Sequence, residues 1–176
     1  MGESFGHWKM GMDAEIMPHV DMANIACGFH ASDPLNMSKT VALAKAHKVA
    51  IGAHPAYADL LGFGRRDIKL SAAEITNMVL YQVGALQAIC HRQEMQLAYV
   101  KPHGALYNSM MKDETIFTAI VDAMSSLSVK IPLMVLASNK SVEMSAQADN
   151  YGVSPLFDAF CYWSYRDAVS CVPRRH

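Results

Sequence analysis

Asn24-Ile25-Ala26-Cys27-Gly28-Phe29-His30-Ala31-Ser32-Asp33-Pro34 is a short apolar run that ends at Gly and His and then opens a helix with Asp-Pro. The pattern returns twice. Val49-Ala50-Ile51-Gly52-Ala53-His54-Pro55 is one copy, and Leu97-Ala98-Tyr99-Val100-Lys101-Pro102-His103-Gly104 is the other. Each reads as a buried strand that stops at a His beside Gly or Pro. Parallel strands would bring all three imidazoles to one edge of one sheet, the edge at which α/β folds carry their chemistry.

Helices are predicted between these strands. Asp33 caps one with Pro34 at its first position, and it runs to about His47 with Val41, Leu43 and Ala44 inward. Ser71-Ala72-Ala73-Glu74 is a capping box. Behind it Ile75, Met78, Val79, Val83, Leu86, Ile89 and Cys90 repeat with the 3.6-residue helical period. A further helix starts near Asp113 with Ile116, Ile120, Val121 and Met124 inward, and a polar helix ends near Asp149. Strands are predicted at 23–27, 49–53, 97–100 and 132–137, with a fifth at 153–160. Residues 13–20 read as a short helix, 1–12 as a loop, and 55–69 as a long loop of the kind that carries function. Strand and helix alternate about four times. That order argues a parallel sheet with helices outside, open or closed into a barrel, with right-handed crossovers.

At 176 residues the chain reads as a single β/α domain, 1–176. Its 52% apolar composition suits a packed core. With 15 basic and 16 acidic residues there is no basic surface for nucleic acid. The pairs Arg65-Arg66 and Arg174-Arg175 are too short to make one. No apolar run reaches the ~20 residues of a membrane helix, and residues 1–6 have no signal-peptide character. Four cysteines without metal spacing (Cys27, Cys90, Cys161, Cys171) read as free thiols of a cytoplasmic protein.

A lone His in an apolar setting is more often a bonded structural residue than a catalytic one. Three at equivalent strand ends shift the balance towards a common site, since imidazole both moves protons and ligates metals. Their spacing fits no local metal motif. His7, His19, His47, His91 and His176 lack this context and read as surface residues. Asp33 is an N-cap, and Asp59 and Asp67 read as solvated or turn-making loop carboxylates. Lys101 at a strand end holds either an anionic substrate or a salt bridge. Arg65 and Arg66, after Gly62-Phe63-Gly64, are suited to clamp a carboxylate or phosphate. The full nucleotide fingerprint is missing around that Gly-x-Gly, and no G-x-S-x-G elbow appears.

Six stretches together resemble the LamB/YcsF family, which includes one component (the A subunit) of prokaryotic ATP-dependent 5-oxoprolinase. They are 2–6 (GESFG), 24–34 (NIACGFHASDP), 52–57 (GAHPAY), 62–66 (GFGRR), 81–86 (YQVGAL) and 100–108 (VKPHGALYN), in family order. The resemblance implies a parallel β/α barrel of the glycoside hydrolase/deacetylase type. It also implies ATP-dependent opening of 5-oxo-L-proline to L-glutamate, in a complex with B and C subunits. His30, His54 and His103 are then the catalytic candidates. Lys101, Arg65, Arg66, Asn24, Tyr57 and Asn108 are the substrate-binding candidates. ATP is the implied cofactor, bound on this chain or on one of its partners. A divalent metal, held in many such deacetylases by Asp and His, makes His30, His54 and His103 candidate ligands as well.

The sequence also departs from the family pattern. The family's acidic Asp-x-Asn-x-Asp strand precedes Gly2, and this sequence starts after it. Where the family has Phe-Ala-Asp-Arg-x-Tyr, this chain has Phe160-Cys161-Tyr162-Trp163-Ser164-Tyr165. Ala58 stands in place of a family Pro. The expectation is therefore a barrel incomplete or open in this chain. Unpaired edges invite association with a partner or with a second copy, giving a homo-oligomer. Two other readings stand beside the hydrolase: a shortened, inactive homologue acting as a binding module, and a metal-dependent deacetylase-like hydrolase.

Overall fold

The structure is a computed structural model that describes residues 1–159 and, beyond them, the backbone of two short strands, 165–167 and 170–171. β1 (Met22–Ala26), β2 (Ala50–His54), β3 (Leu97–Val100), β4 (Leu133–Leu136) and β5 (Pro155–Asp158) make one parallel sheet in chain order. The helices are α1 (Asp13–Ile16), α2 (Pro34–His47), α3 (Ala72–Arg92), α4 (Gly104–Met110), α5 (Glu114–Ser125) and α6 (Ser141–Asp149). The short pair beyond is β6 (Tyr165–Asp167) with β7 (Ser170–Cys171), antiparallel. Among the described residues the five-stranded sheet does not close, in keeping with an open β/α barrel. Residues 160–164, where the sequence departs from the family pattern, lie outside the described residues. Among the described residues no helix is long and apolar enough to cross a membrane.

The start signals act as the sequence predicts. The Asp33 carboxylate accepts from the Leu35 and Asn36 amides, filling donors that a helix start leaves orphaned. Ser71 and Glu74 close the reciprocal box on α3. β3 falls at its expected bounds, and the ends of the other four strands shift by one or two residues. The helix that the sequence does not predict is α4, seven residues directly after His103, whose Ala105, Leu106, Tyr107 and Met110 are buried. Its apolar side is too short for a periodic signal, so packing rather than pattern makes it a helix.

Alternation divides the sheet's two faces. Ala23, Ile25, Ile51, Ala53, Val100, Leu133 and Val135 join the hydrophobic core beneath the helices. That core includes the inward faces of α3 and α5, which pack on one another. Cys27 and Cys90 are buried free thiols. On the opposite face Asn24 stands level with Gly52, and Gly52 with Tyr99. The Tyr99 ring lies over Gly52, where a Cβ would meet ring carbons at 2.2 Å. Its hydroxyl reaches the Asn24 Oδ1 at 2.7 Å. A side chain at 52 would break this crossing.

Gly52→Ala is therefore expected to destabilise the fold by about 1–3 kcal/mol through overpacking. Removing the ring as well, in Gly52→Ala/Tyr99→Leu, should cost less than the two single changes added together, by about 1 kcal/mol or more. Chemical denaturation of all four proteins reads this. Strict additivity would show that the ring does not depend on the glycine.

Candidate active site

The three strand ends converge. His54 is the last residue of β2, His30 lies four residues past β1, and His103 lies three past β3. The rings of His30 and His103 stack, with centroids 4.0 Å apart and planes 11° from parallel. His54 meets His103 edge-on at 4.8 Å and His30 at 5.7 Å. Phe63 closes the group with edge contacts to His30 and His103 at 5.4 and 5.3 Å. His30 and His103 are 1% and 8% exposed, so polar rings sit where water is largely excluded.

Backbone groups hold two of the rings. His54 Nδ1 lies 2.5 Å from the Lys101 carbonyl oxygen, and His103 Nε2 lies 2.8 Å from that of Phe63. A carbonyl only accepts, so each of these nitrogens carries its hydrogen. The remaining nitrogens, His54 Nε2 and His103 Nδ1, face each other at 3.0 Å. Two neutral imidazoles own two N–H hydrogens, and three contacts ask for one each. One further proton would satisfy all three. Burial works against it: desolvation lowers the pKa of His54 well below the ordinary range, and the charges of His103 and His30 lower it further. Burial also lowers that of His103, with the Phe63 carbonyl bond pulling back. With both rings neutral and both carbonyl bonds kept, the contact between the inner nitrogens is thus the one left without a hydrogen.

His30 differs. Among the described residues neither of its ring nitrogens has a hydrogen-bond partner. An unmet buried polar group costs about 1–3 kcal/mol, and these are the ring nitrogens of the cluster without a protein partner among the described residues. Burial, then the neighbouring His103, brings the His30 pKa down to about 3.

The loop over the cluster depends on backbone that few side chains adopt. Phe63 has φ +55° and Gly64 φ +66°. A Cβ on Gly64 would lie 2.8 Å from His30 Cβ and 2.9 Å from His103 Cδ2. Gly64 thus lets the loop touch both rings. The Gly64 carbonyl accepts from the Ala105 amide at 2.9 Å, and the Pro55 carbonyl from the His103 amide at 2.8 Å.

The other site candidates are more scattered. Lys101 pairs with Asp158 at the end of β5 and stands over the Tyr107 ring. Of its two sequence readings, the salt bridge is the contact present. Arg66 is exposed but chelates Asp59, which is 3% exposed and, of its two sequence readings, makes the turn, accepting from the Gly62 amide. The Arg66 bond holds the Asp59 carboxyl at about pKa 2. Arg65 is exposed, its guanidinium 5.9 Å from the Phe63 ring. Asn24 is bonded to Tyr99. Tyr57 is buried and Asn108 lies exposed on α4. Sequence reasoning missed Phe63 and Asp59. The signal for both was the dense Asp-Leu-Leu-Gly-Phe-Gly-Arg-Arg run at 59–66, too rich in Gly and charge for an idle loop.

A divalent metal does not fit the described donors. The four nitrogens of His54 and His103 already face carbonyls or each other. Among the described residues no group of three or more His, Cys, Asp or Glu is arranged to hold an ion.

A parallel β/α sheet with buried histidines at its C-terminal edge defines the class as an enzyme-like β/α domain. The chain belongs to the LamB/YcsF family, whose model matches residues 1–176. It is 58% identical over 176 residues to the A subunit of 5-oxoprolinase from Vibrio parahaemolyticus, covering all of this chain and 69% of that protein. Over 174 residues it is 59% identical to the protein of the same name from Vibrio vulnificus, covering 99% and 70%. Among solved structures it resembles a lactam utilization protein from Thermus thermophilus, at 41% identity with a TM-score of 0.90. That match covers 99% of this chain and 69% of the other.

The buried neutral imidazoles predict a pH dependence of stability. The unfolded chain's histidines titrate near 6.5, whereas folded His30 resists protonation down to about 3. Its contribution is full above about pH 6.5. It fades as pH falls, because the unfolded state binds a proton that the fold refuses, at up to ~1.4 kcal/mol per pH unit. Denaturant titrations at pH 7 and 5 should show His30→Gln losing about 1–2 kcal/mol less than wild type over that interval. Equal losses would mean that His30 is protonated in the folded protein.

Proposed function

We propose that this chain acts as the A-type component of an ATP-dependent 5-oxoprolinase, opening 5-oxo-L-proline to L-glutamate together with B and C subunits. The observation that carries the reading is the buried cluster of His30, His54 and His103, with the His30 nitrogens left unbonded. Its family membership supports the substrate class. So do relatives named as A subunits of 5-oxoprolinase, and a structural neighbour named a lactam utilization protein. That those relatives are named as subunits supports a multi-chain assembly.

The chemistry suits the residues. A five-membered lactam is an unactivated amide, and water alone attacks it slowly. Transfer of the ATP γ-phosphoryl group to the amide oxygen turns that oxygen into part of a leaving group. Water then adds to the same carbon and yields a proton to the His54–His103 pair. The ring C–N bond breaks as the nitrogen takes a proton back, leaving an acyl phosphate, and a second water then cleaves it to the carboxylate and inorganic phosphate. A pair that holds one proton between two nitrogens can act first as base and then as acid. His30, stacked on His103, would meet the substrate with its open nitrogens. Lys101 and Arg65 are the proposed cations for the substrate carboxylate.

Phosphate release and glutamate formation, measured with 5-oxo-L-proline, ATP and the B and C partners, test the reading. Both products in equal amounts are expected. Absence of both, with partners that are active alongside a related A-type chain, would overturn it. Within an active complex, His103→Ala should lower kcat about 10²–10⁴-fold, and Lys101→Ala should appear mainly as a raised KM. Lower melting temperatures with unchanged activity per folded molecule would instead give both residues purely structural roles.

A further inference from the structure

We propose that Asp59, clasped by Arg66, is a positioning residue that fixes the tautomer of His103. Its kinetic consequence rests on the proposed hydrolase reading; its structural consequence does not.

Asp59 gathers the loop over the histidine cluster around one buried carboxylate. Oδ1 accepts from the Gly62 amide at 2.9 Å and from Arg66 Nε at 2.9 Å. Oδ2 accepts from the Arg66 amide at 3.3 Å and from its Nε at 3.1 Å. The Asp59 carbonyl accepts from the Gly64 amide at 2.8 Å. These bonds bracket Phe63 on both sides and hold it at a positive φ that its own side chain disfavours. The Phe63 carbonyl then points at His103 Nε2. The clasp needs glycine at 62: a Cβ there would meet Asp59 Oδ2 at 2.1 Å and Arg66 Nε at 2.4 Å.

This carbonyl decides where the His103 hydrogen resides. With it in place the hydrogen stays on Nε2, and Nδ1 presents a lone pair to His54 Nε2. With the carbonyl displaced, the hydrogen has a better place on Nδ1, donated to His54. The inner position is then filled, and the pair can no longer accept a substrate proton there. A carboxylate that sets the tautomer of a catalytic imidazole is a known strategy. Here the carboxylate would act at one remove, through a loop carbonyl.

The test uses two variants, Asp59→Asn and Arg66→Gln. The first puts an amide opposite a guanidinium; the second removes the guanidinium from the exposed side and leaves the carboxylate's bonds to the Gly62 and Arg66 amides. Nitrogen-15 NMR of the His103 ring at pH 8 is the direct readout. Wild type should show hydrogen on Nε2, and each folded variant should move it substantially to Nδ1. In the active complex the variants should lose about 10–100-fold in kcat, with KM within about threefold. His103 that keeps its Nε2 hydrogen in the folded variants overturns the proposal, whatever the activity. If Asp59→Asn does not fold, Arg66→Gln alone decides. Wild type without 5-oxoproline turnover would count against the hydrolase reading and leave the tautomer result to stand or fall by itself.

Discussion

Gly52 stands between Asn24 and Tyr99 in one row across β1, β2 and β3, and that row sets the level at which the three strands end. Because the side-chain period of a strand is two, a slip of one residue would turn every side chain to the other face. Here the Tyr99 ring can cross only where position 52 has no Cβ. With the row in place, Ala26 pairs with His54 and the next residues along each strand fall at the site. The polar cluster inherits its geometry from a packing constraint two residues below it.

The cluster is held together against burial. Apolar burial drives the helix-covered face, but the same exclusion of water makes three imidazoles costly to charge. Backbone carbonyls resolve part of that cost for His54 and His103. His30 is left with none among the described residues. A core evolved for stability alone would have no reason to keep such a residue in a stack of rings. Strain points the same way. Phe63, one of four non-glycine residues at positive φ among the described residues, costs on the order of 1–3 kcal/mol there, and its ring lies against His30 and His103.

Much of this is legible without the fold. The strand-His-Gly/Pro repeat gives the shared edge of the sheet, because parallel strands in a β/α alternation end on the same side. Asp33-Pro34 and Ser71-Ala72-Ala73-Glu74 give helix starts that depend only on local bonding. The long period in α3 marks a buried face. By contrast α4 is invisible in the sequence, since seven residues are too few to show a period. Arg66 reads as a clamp for a substrate anion and Lys101 as either a substrate contact or a salt bridge, because nothing local reveals that Asp59 and Asp158 are their partners.

What the sequence determined by itself is the alternation of elements, the membership of three histidines in one edge and the chemistry that imidazole permits there. These follow from local signals and from the constraint that parallel strands share polarity. Only the tertiary structure decided that His30 stacks on His103, that His54 and His103 face each other nitrogen to nitrogen, and that a loop carbonyl held by Asp59 sits at the third corner. Those are distances of a few ångströms between residues up to 73 positions apart, as His30 and His103 are. They depend on how strands register and loops fold back, which no local preference encodes.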